Sequence, residues 1–280
     1  MRRLYKLKNR FVKWLSLPYV IWAIGFIIIP LIMVFYYGLT DKSGHFTFYN
    51  VANITLPVHF KALIIALLLS LISTVICLLL SYPLAMILAN MNSSGNNKLM
   101  ILVFVLPMWM NFLLRTLAWQ TLLENEGVIN TILTFLHLPT LKIINTPYAI
   151  VFGMIYNFLP FMVLPIYNVL CKIDKNLLNA ARDLGANEVQ TFFKVTLPLS
   201  VPGIISGITM VFVPALTTFV ISDLLGGSKI LLIGNVIEQE FTLNSNWHLG
   251  SGLSIVLMLF IIISMIATAI FDKDGEGSAL

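Results

Sequence analysis

Residues 62–89 read ALIIALLLSLISTVICLLLSYPLAMILA, twenty-eight positions without one charged side chain. A helix of that length rises about 42 Å at 1.5 Å per residue, more than the roughly 30 Å of hydrocarbon in a bilayer. With no water in that layer, backbone N–H and C=O groups must pair within the segment. An unbroken apolar run therefore means a helix, and the alternating ten-residue strands of a barrel are absent. Working outward, further apolar runs occupy residues 17–39, 99–123, 148–171, 201–225 and 249–271. The expectation is an all-α integral membrane protein of six transmembrane helices. Composition agrees, since of 280 residues 59% are apolar and only 10% charged, whereas a soluble domain carries about a quarter charged residues to wet its surface. Six spans of about 21 residues take up near half the chain, which leaves no room for a separate soluble catalytic domain. Any nucleotide hydrolysis must come from elsewhere.

Seventeen Lys and Arg against twelve Asp and Glu give a formal charge of +5, but six of the seventeen lie among the first thirteen residues. Arg2, Arg3, Lys6, Lys8, Arg10 and Lys13 form a cluster that meets anionic lipid headgroups. Nucleic acid would instead need a basic folded surface with stacking aromatics, and no such partner is expected. The run 17–39 is too long for a signal-peptide core and ends in Phe35, Tyr36, Tyr37 and Gly38 instead of a small-residue cleavage site, so it reads as a retained first helix. With the N-terminus inside, twelve basic residues fall on inner segments and four, Lys42, Lys61, Lys142 and Lys229, on outer ones. Both termini are therefore expected in the cytoplasm. The chain divides into a basic tail, 1–16, a six-helix domain, 17–271, with an inner loop at 172–200, and a short tail, 272–280. Cys77 and Cys171 stand in or at the ends of apolar runs with no CxxC, and are expected as core residues. His45, His59, His137 and His248 are scattered without ligand spacing, so no metal site is expected, and no phosphate-binding GxxxxGK[ST] loop exists.

Between Lys172 and Ser200 the pattern changes to two short amphipathic helices. Asp174 can cap the first, whose apolar residues Leu177, Leu178, Ala180, Ala181 and Leu184 share a side, and Gly185 stands where helices end in a left-handed residue. Asn187, with Gln190 three residues on, can cap the second, which would stop near Thr196 at Pro198, with Pro202 and Gly203 opening the next span. Small side chains at 180 and 181 permit close approach to a partner protein. Lying on the lipid surface is the alternative, although Arg182, Asp183 and Glu188 give a mixed-charge face and not a basic one.

Here a resemblance enters. Asn179, Ala180 and Ala181, three further residues, Gly185, nine more, and then Val195, Thr196, Leu197 and Pro198 resemble the EAA motif of ATP-binding-cassette importer permeases, with both spacings matched. Asn179 replaces the usual Glu and Val195 the usual Ile, which removes any salt bridge that the Glu would make to an ATPase. The stretches LPMWMNFLLRTLAW at 106–119 and SDLLGGSKILLIGNV at 222–236, with 246–250, resemble the spermidine/putrescine importers of that family, and the likeness runs from Leu17 to Phe271. The resemblance implies a type I importer permease fold in which Asn179, Ala180, Ala181, Arg182, Asp183, Leu184, Gly185, Leu197 and Pro198 couple to the ATPase. It also implies a second permease subunit, an ATPase dimer that binds ATP and Mg, and an extracytoplasmic polyamine-binding protein. The chain itself would carry no cofactor.

A polyamine carries two to four ammonium groups, so its path needs carboxylates, carbonyl oxygens and aromatic faces that replace water. Asp223, near the end of the fifth run and before Gly226 and Gly227, is the most suggestive acid; capping a turn is its other reading. Trp109 and Asn111 fall near the centre of the third run after Pro107 and can line a path, or in the case of Trp109 face lipid. Arg115, on the same face as Asn111, is expected to pair with Glu124 or Glu126 or to reach outward. Tyr156, Asn157 and Phe158 precede Pro160 and Pro165 in an interrupted fourth segment and offer aromatic and amide groups, unless the prolines merely kink a packed helix. Glu238 and Glu240, in the last outer loop, can contact the binding protein or be solvated acids. The expected function is thus a permease subunit of a polyamine importer, without an ATPase site of its own. The alternatives are a permease for another small solute and a membrane-embedded enzyme, which would need clustered His, Asp or Glu at one membrane depth.

Overall fold

The structure, a computed structural model, describes residues 17–92, 102 and 106–277. The basic tail, most of residues 93–105 with the start of the expected third span, and the last three residues lie outside it. Among the described residues the fold is helical, with one isolated bridge between Thr40 and Phe46 and no strand. The first helix, α1, comprises Leu17–Ala23, a wider π turn at Ile24–Ile28 and Ile29–Gly38. Then come α2 (Pro57–Asn92), α3 (Phe112–Leu123), α4 (Val128–Phe135), α5 (Pro147–Leu170) and α6 (Lys175–Asp183). Helix α7 runs from Glu188–Thr191 through a π turn at Phe192–Thr196 into Leu197–Thr217. It is followed by α8 (Val220–Gly226), α9 (Ile233–Thr242) and α10 (Trp247–Gly277). Five of these helical stretches are long and apolar enough to cross a membrane, in α1, α2, α5, α7 and α10.

The chain forms two compact units. One holds the described residues up to Leu56 with Ile237–Met258. In it the Asn50 amide donates to the Thr40 carbonyl at 2.8 Å, and Nδ1 of His248 lies 3.0 and 2.8 Å from the carbonyls of Tyr37 and Thr40, which fastens the end of α1. From residue 18 to residue 37 no side chain of α1 is buried, so its apolar flank is left for lipid or another chain.

The other unit, the described residues of Pro57–Val236 and from Leu259 onward, has its core where α2, α5 and α7 meet. Ala66, Ala85, Ile150, Met154, Met162, Ile166, Val211, Ala215 and Leu216 are fully buried there. Small residues let the backbones close in, as membrane helices require when water supplies no hydrophobic drive between them. A Cβ on Gly203 of α7 would sit 2.9 Å from the Pro165 carbonyl of α5. Buried hydroxyls bridge helices, as where the Tyr82 and Ser200 oxygens lie 2.8 Å apart.

Several expectations need correction. The third run is not one helix: Leu106–Trp109 makes a tight 3-10 turn, and α3 starts anew after Asn111. The fifth run breaks at Thr218, whose ψ of 140° is extended, before α8. Conversely, Pro198 does not stop a helix. It follows the π turn at Phe192–Thr196 as Pro30 follows the one at Ile24–Ile28, and a widened turn relieves the ring's clash with the carbonyl four residues back and its missing N–H. Pro160 and Pro165 likewise sit inside a continuous α5. Cys77 is buried, but Cys171, just past the end of α5, is exposed.

Candidate functional site

Two breaks in the spans carry the polar chemistry. At the first, Asn111 is an exposed N-cap whose side-chain oxygen accepts from the backbone N–H groups of Leu113 and Leu114 at 2.9 and 3.2 Å, so the expected mid-span position is instead a helix start. Trp109 projects from the preceding turn and is 74% exposed. One turn into α3, Arg115 is only 6% exposed. Its guanidinium donates to the Pro107 carbonyl at 2.6 Å and lies 5.8 Å from the centre of the Tyr156 ring, while Nε has no partner. Among the described residues it meets no carboxylate, so the expected pairing with Glu124 or Glu126 is replaced by a carbonyl and an aromatic face.

Trp119 completes this cluster, with ring centroids 4.7 Å from Phe152 and 5.1 Å from Tyr156 in edge contacts. Arg115 and Trp119 on α3 thus face Phe152 and Tyr156 on α5, each pair spaced four residues apart. That spacing from Arg115 is present in the sequence for Trp119, which no sequence motif marks. Of the neighbours on α5, Asn157 is 1% exposed, donates to the Gly153 carbonyl at 2.8 Å and leaves Oδ1 without a partner. Phe158 is buried.

At the second break, Asp223 lies half-buried in the first turn of α8, where a carboxylate complements the helix N-terminus. Its Oδ1 accepts from the Asn235 amide at 2.7 Å. The same amide nitrogen donates to the Phe219 carbonyl at 3.1 Å, and the Asn235 oxygen accepts from the Leu232 N–H at 3.0 Å. Asn235 was not singled out from the sequence, since nothing in its spacing from Asp223 signals a contact across the turn at Gly226 and Gly227. Glu238 and Glu240 are on α9 and not in a loop; they accept from the Thr242 hydroxyl and the Asn244 amide, both at 2.9 Å.

The segment between α5 and α7 is built for exposure. Asp174 caps α6 by accepting from the Asn176 N–H at 2.9 Å, and Gly185, at φ +86°, ends it. The N–H groups of Gly185 and Ala186 reach back to the carbonyls of Arg182 and Ala181, which closes the helix end. Asn187 and Gln190 exchange hydrogen bonds as a capping box. Leu177, Asn179, Ala180, Arg182, Asp183 and Leu184 are exposed and Ala181 half-buried, while Leu178 and Arg182 help line a cleft of about 450 Å³ against Met86, Leu170 and Phe192. Leu197 is half-buried and Pro198 exposed at the following turn.

Long apolar helices, two breaks and a capped, exposed helix between α5 and α7 are features that fit a membrane permease subunit. A model of the binding-protein-dependent transport system inner membrane component matches residues 81–274, and the chain belongs to that family. It is 37% identical over 282 residues to the spermidine/putrescine transport system permease protein PotB of Haemophilus influenzae, covering 96% of this chain and 98% of the relative. To PotB of Escherichia coli it is 36% identical over 267 residues, 91% and 97% of the two chains. The crystal structure of a bacterial ABC transporter involved in import of the acidic polysaccharide alginate superposes with a TM-score of 0.80 at 18% identity, over 98% of this chain and 99% of that one. The fold is therefore that of an importer permease in a multi-pass membrane protein.

Proposed function

We propose that this chain is a permease subunit of an ATP-driven importer that takes spermidine or putrescine from an extracytoplasmic binding protein. The near full-length likeness to PotB carries this reading. The carboxylate of Asp223 supports it, because an ammonium leaving water needs such a group. Its partners are a second permease, an ATPase dimer that holds ATP and Mg, and the polyamine-binding protein; this chain hydrolyses nothing. By the distribution of Lys and Arg, both termini and α6 face the cytoplasm of the bacterial inner membrane.

In this reading α6, with Gly185 and the turn through Leu197 and Pro198, docks on the ATPase. ATP-driven closure of the ATPase moves α6 as a body, and the attached α5 and α7 swing the path from inward-open to outward-open. Coupling requires that nucleotide and binding protein prefer different permease states, since a ligand with equal affinity for both shifts nothing. In the same reading Glu238 and Glu240 contact the binding protein. The test is radiolabelled spermidine uptake in polyamine-import-deficient cells carrying this chain with its neighbouring subunits. Saturable uptake that putrescine competes is expected. An assembled complex that takes up neither polyamine overturns the substrate assignment.

A further inference from the structure

The second break poses a geometric question: what fixes a carboxylate beside a chain that has left the helix? Thr218 is extended, so the last carbonyls of α7 are not paired along that helix. A Cβ on Gly234 would stand 2.8 Å from the Thr217 oxygen and 2.9 Å from the Thr218 oxygen, so α9 opens directly against those carbonyls. Next in sequence, Asn235 is 0% exposed. Its amide nitrogen divides its two protons between the Phe219 carbonyl at 3.1 Å and Asp223 Oδ1 at 2.7 Å. Its oxygen is taken by the Leu232 N–H at 3.0 Å, which also fixes which end of the amide faces Asp223. The Phe219 carbonyl in turn receives the Asp223 N–H at 2.9 Å, and the Ser222 hydroxyl ties the neighbouring Ile230 carbonyl at 2.6 Å.

One of these bonds, from the Asn235 amide, reaches the carboxylate itself, and the bonds to Phe219 and Leu232 fix the amide that makes it. We propose that Asn235 is a positioning residue that aims the Asp223 carboxylate at an ammonium group of the passing polyamine. The inference rests on the proposed function. A neutral amide suits this role because it donates to the carboxylate without cancelling its charge, as a Lys or Arg at that place would. The bond from a buried donor to a charged acceptor also holds the side chain in a single rotamer, which fixes the direction from which a cation is met.

The inference is tested by the initial rate of spermidine uptake into proteoliposomes holding the whole complex, with loaded binding protein outside and ATP inside. Wild type is compared with Asn235→Ala, Asp223→Asn and the double variant. Asp223→Asn keeps an oxygen that can accept from Asn235. Each single change should slow uptake on the order of ten-fold, the loss expected for one hydrogen bond to a charged group, and the double variant should be no slower than Asp223→Asn alone. The ratio of spermidine to putrescine uptake should move in the same direction in both single variants, because both disturb one carboxylate. Effects that multiply in the double variant, an unchanged ratio, or an Asp223→Asn rate equal to wild type overturns the inference. A wild-type complex that transports neither polyamine instead overturns the substrate reading, and the inference with it. If Asn235→Ala does not assemble, Asn235→Ser, short of Asp223 but able to accept from Leu232, takes its place with the same outcomes.

Discussion

Arg115 is a buried guanidinium, and such a group away from water needs its charge and its N–H groups answered at once. The Pro107 carbonyl and the Tyr156 face answer this need in part, and Nε has no partner. Arg115→Ala should lower the stability of the purified complex by about 1–3 kcal/mol, read as a drop in its thermal midpoint, because a charge-assisted bond to the Pro107 carbonyl is lost and only the Met110 N–H still donates to it. Arg115→Lys should recover little of this, as an ammonium lacks the planar fork that bonds a carbonyl while lying against a ring. Outside the spans, Asp41 accepts from the backbone N–H groups of His45 and Ser43, both at 2.9 Å, and the His45 bond above all holds its carboxyl below the ordinary carboxylate value. A depressed value stabilises this turn above the ordinary carboxylate range, and the contribution is lost as pH falls through the lowered value. Amide exchange protection at Ser43 and His45 should therefore fall away only as pH drops through the lowered Asp41 value, whereas in Asp41→Asn it should be weak and flat with pH. The sequence placed Arg115 on a face with Asn111 but not its partners. A carbonyl eight residues back becomes reachable only because the helix breaks between them, and Tyr156 lies on another helix.

Among elements, long apolar runs made α1, α2, α5 and α10 legible to within a few residues at most ends, because burial in hydrocarbon leaves the backbone no other pairing. Pro107 can interrupt the third run and free a carbonyl, so an interruption there was legible, whereas the restart of the helix at Asn111 and the break at Thr218 were not. Asn111 and the pair Thr217 and Thr218 are too few polar residues to mark a break by composition, and the chain there is fixed by a side-chain N-cap in one case and by bonds to a distant element in the other. The continuity across Pro198 was hidden for the opposite reason, since a π turn has no composition of its own. Small residues, by contrast, act just as their size dictates. Gly203→Val should reduce the yield of folded complex, with a cost of about 1–3 kcal/mol, because its Cβ meets the backbone carbonyl of Pro165, which cannot rotate away. Gly185 differs, as no atom lies within 4 Å of a Cβ there. Gly185→Val strains only the backbone at φ +86°, by about 1–2 kcal/mol. Membrane insertion should persist while uptake falls several-fold, and normal uptake by this variant would remove α6 from the coupling proposal.

For the molecule as a whole, the two cysteines report topology without engineering. Cys171 is exposed beside α6 and Cys77 is buried in α2. A membrane-impermeant maleimide should label Cys171 in inverted vesicles but not in intact cells, and should leave Cys77 unlabelled until denaturation. Labelling of Cys171 from outside would reverse the orientation drawn from the Lys and Arg distribution. The bare flank of α1 fits the same scale of organisation, since a helix that buries none of residues 18–37 in its own chain gains its contacts from lipid or neighbours.

The π turn at Phe192–Thr196 has a mechanical consequence. Because the chain does not break at Pro198, the thirty residues of Glu188–Thr217 form one rod, about 45 Å from end to end at 1.5 Å per residue. Its near end adjoins α6 and its far end is the break beside Asp223. Such a rod is a lever arm: pivoting it by about 10° about one end carries the other through roughly 8 Å over that length. A hinge at Pro198 would have absorbed that travel where it began.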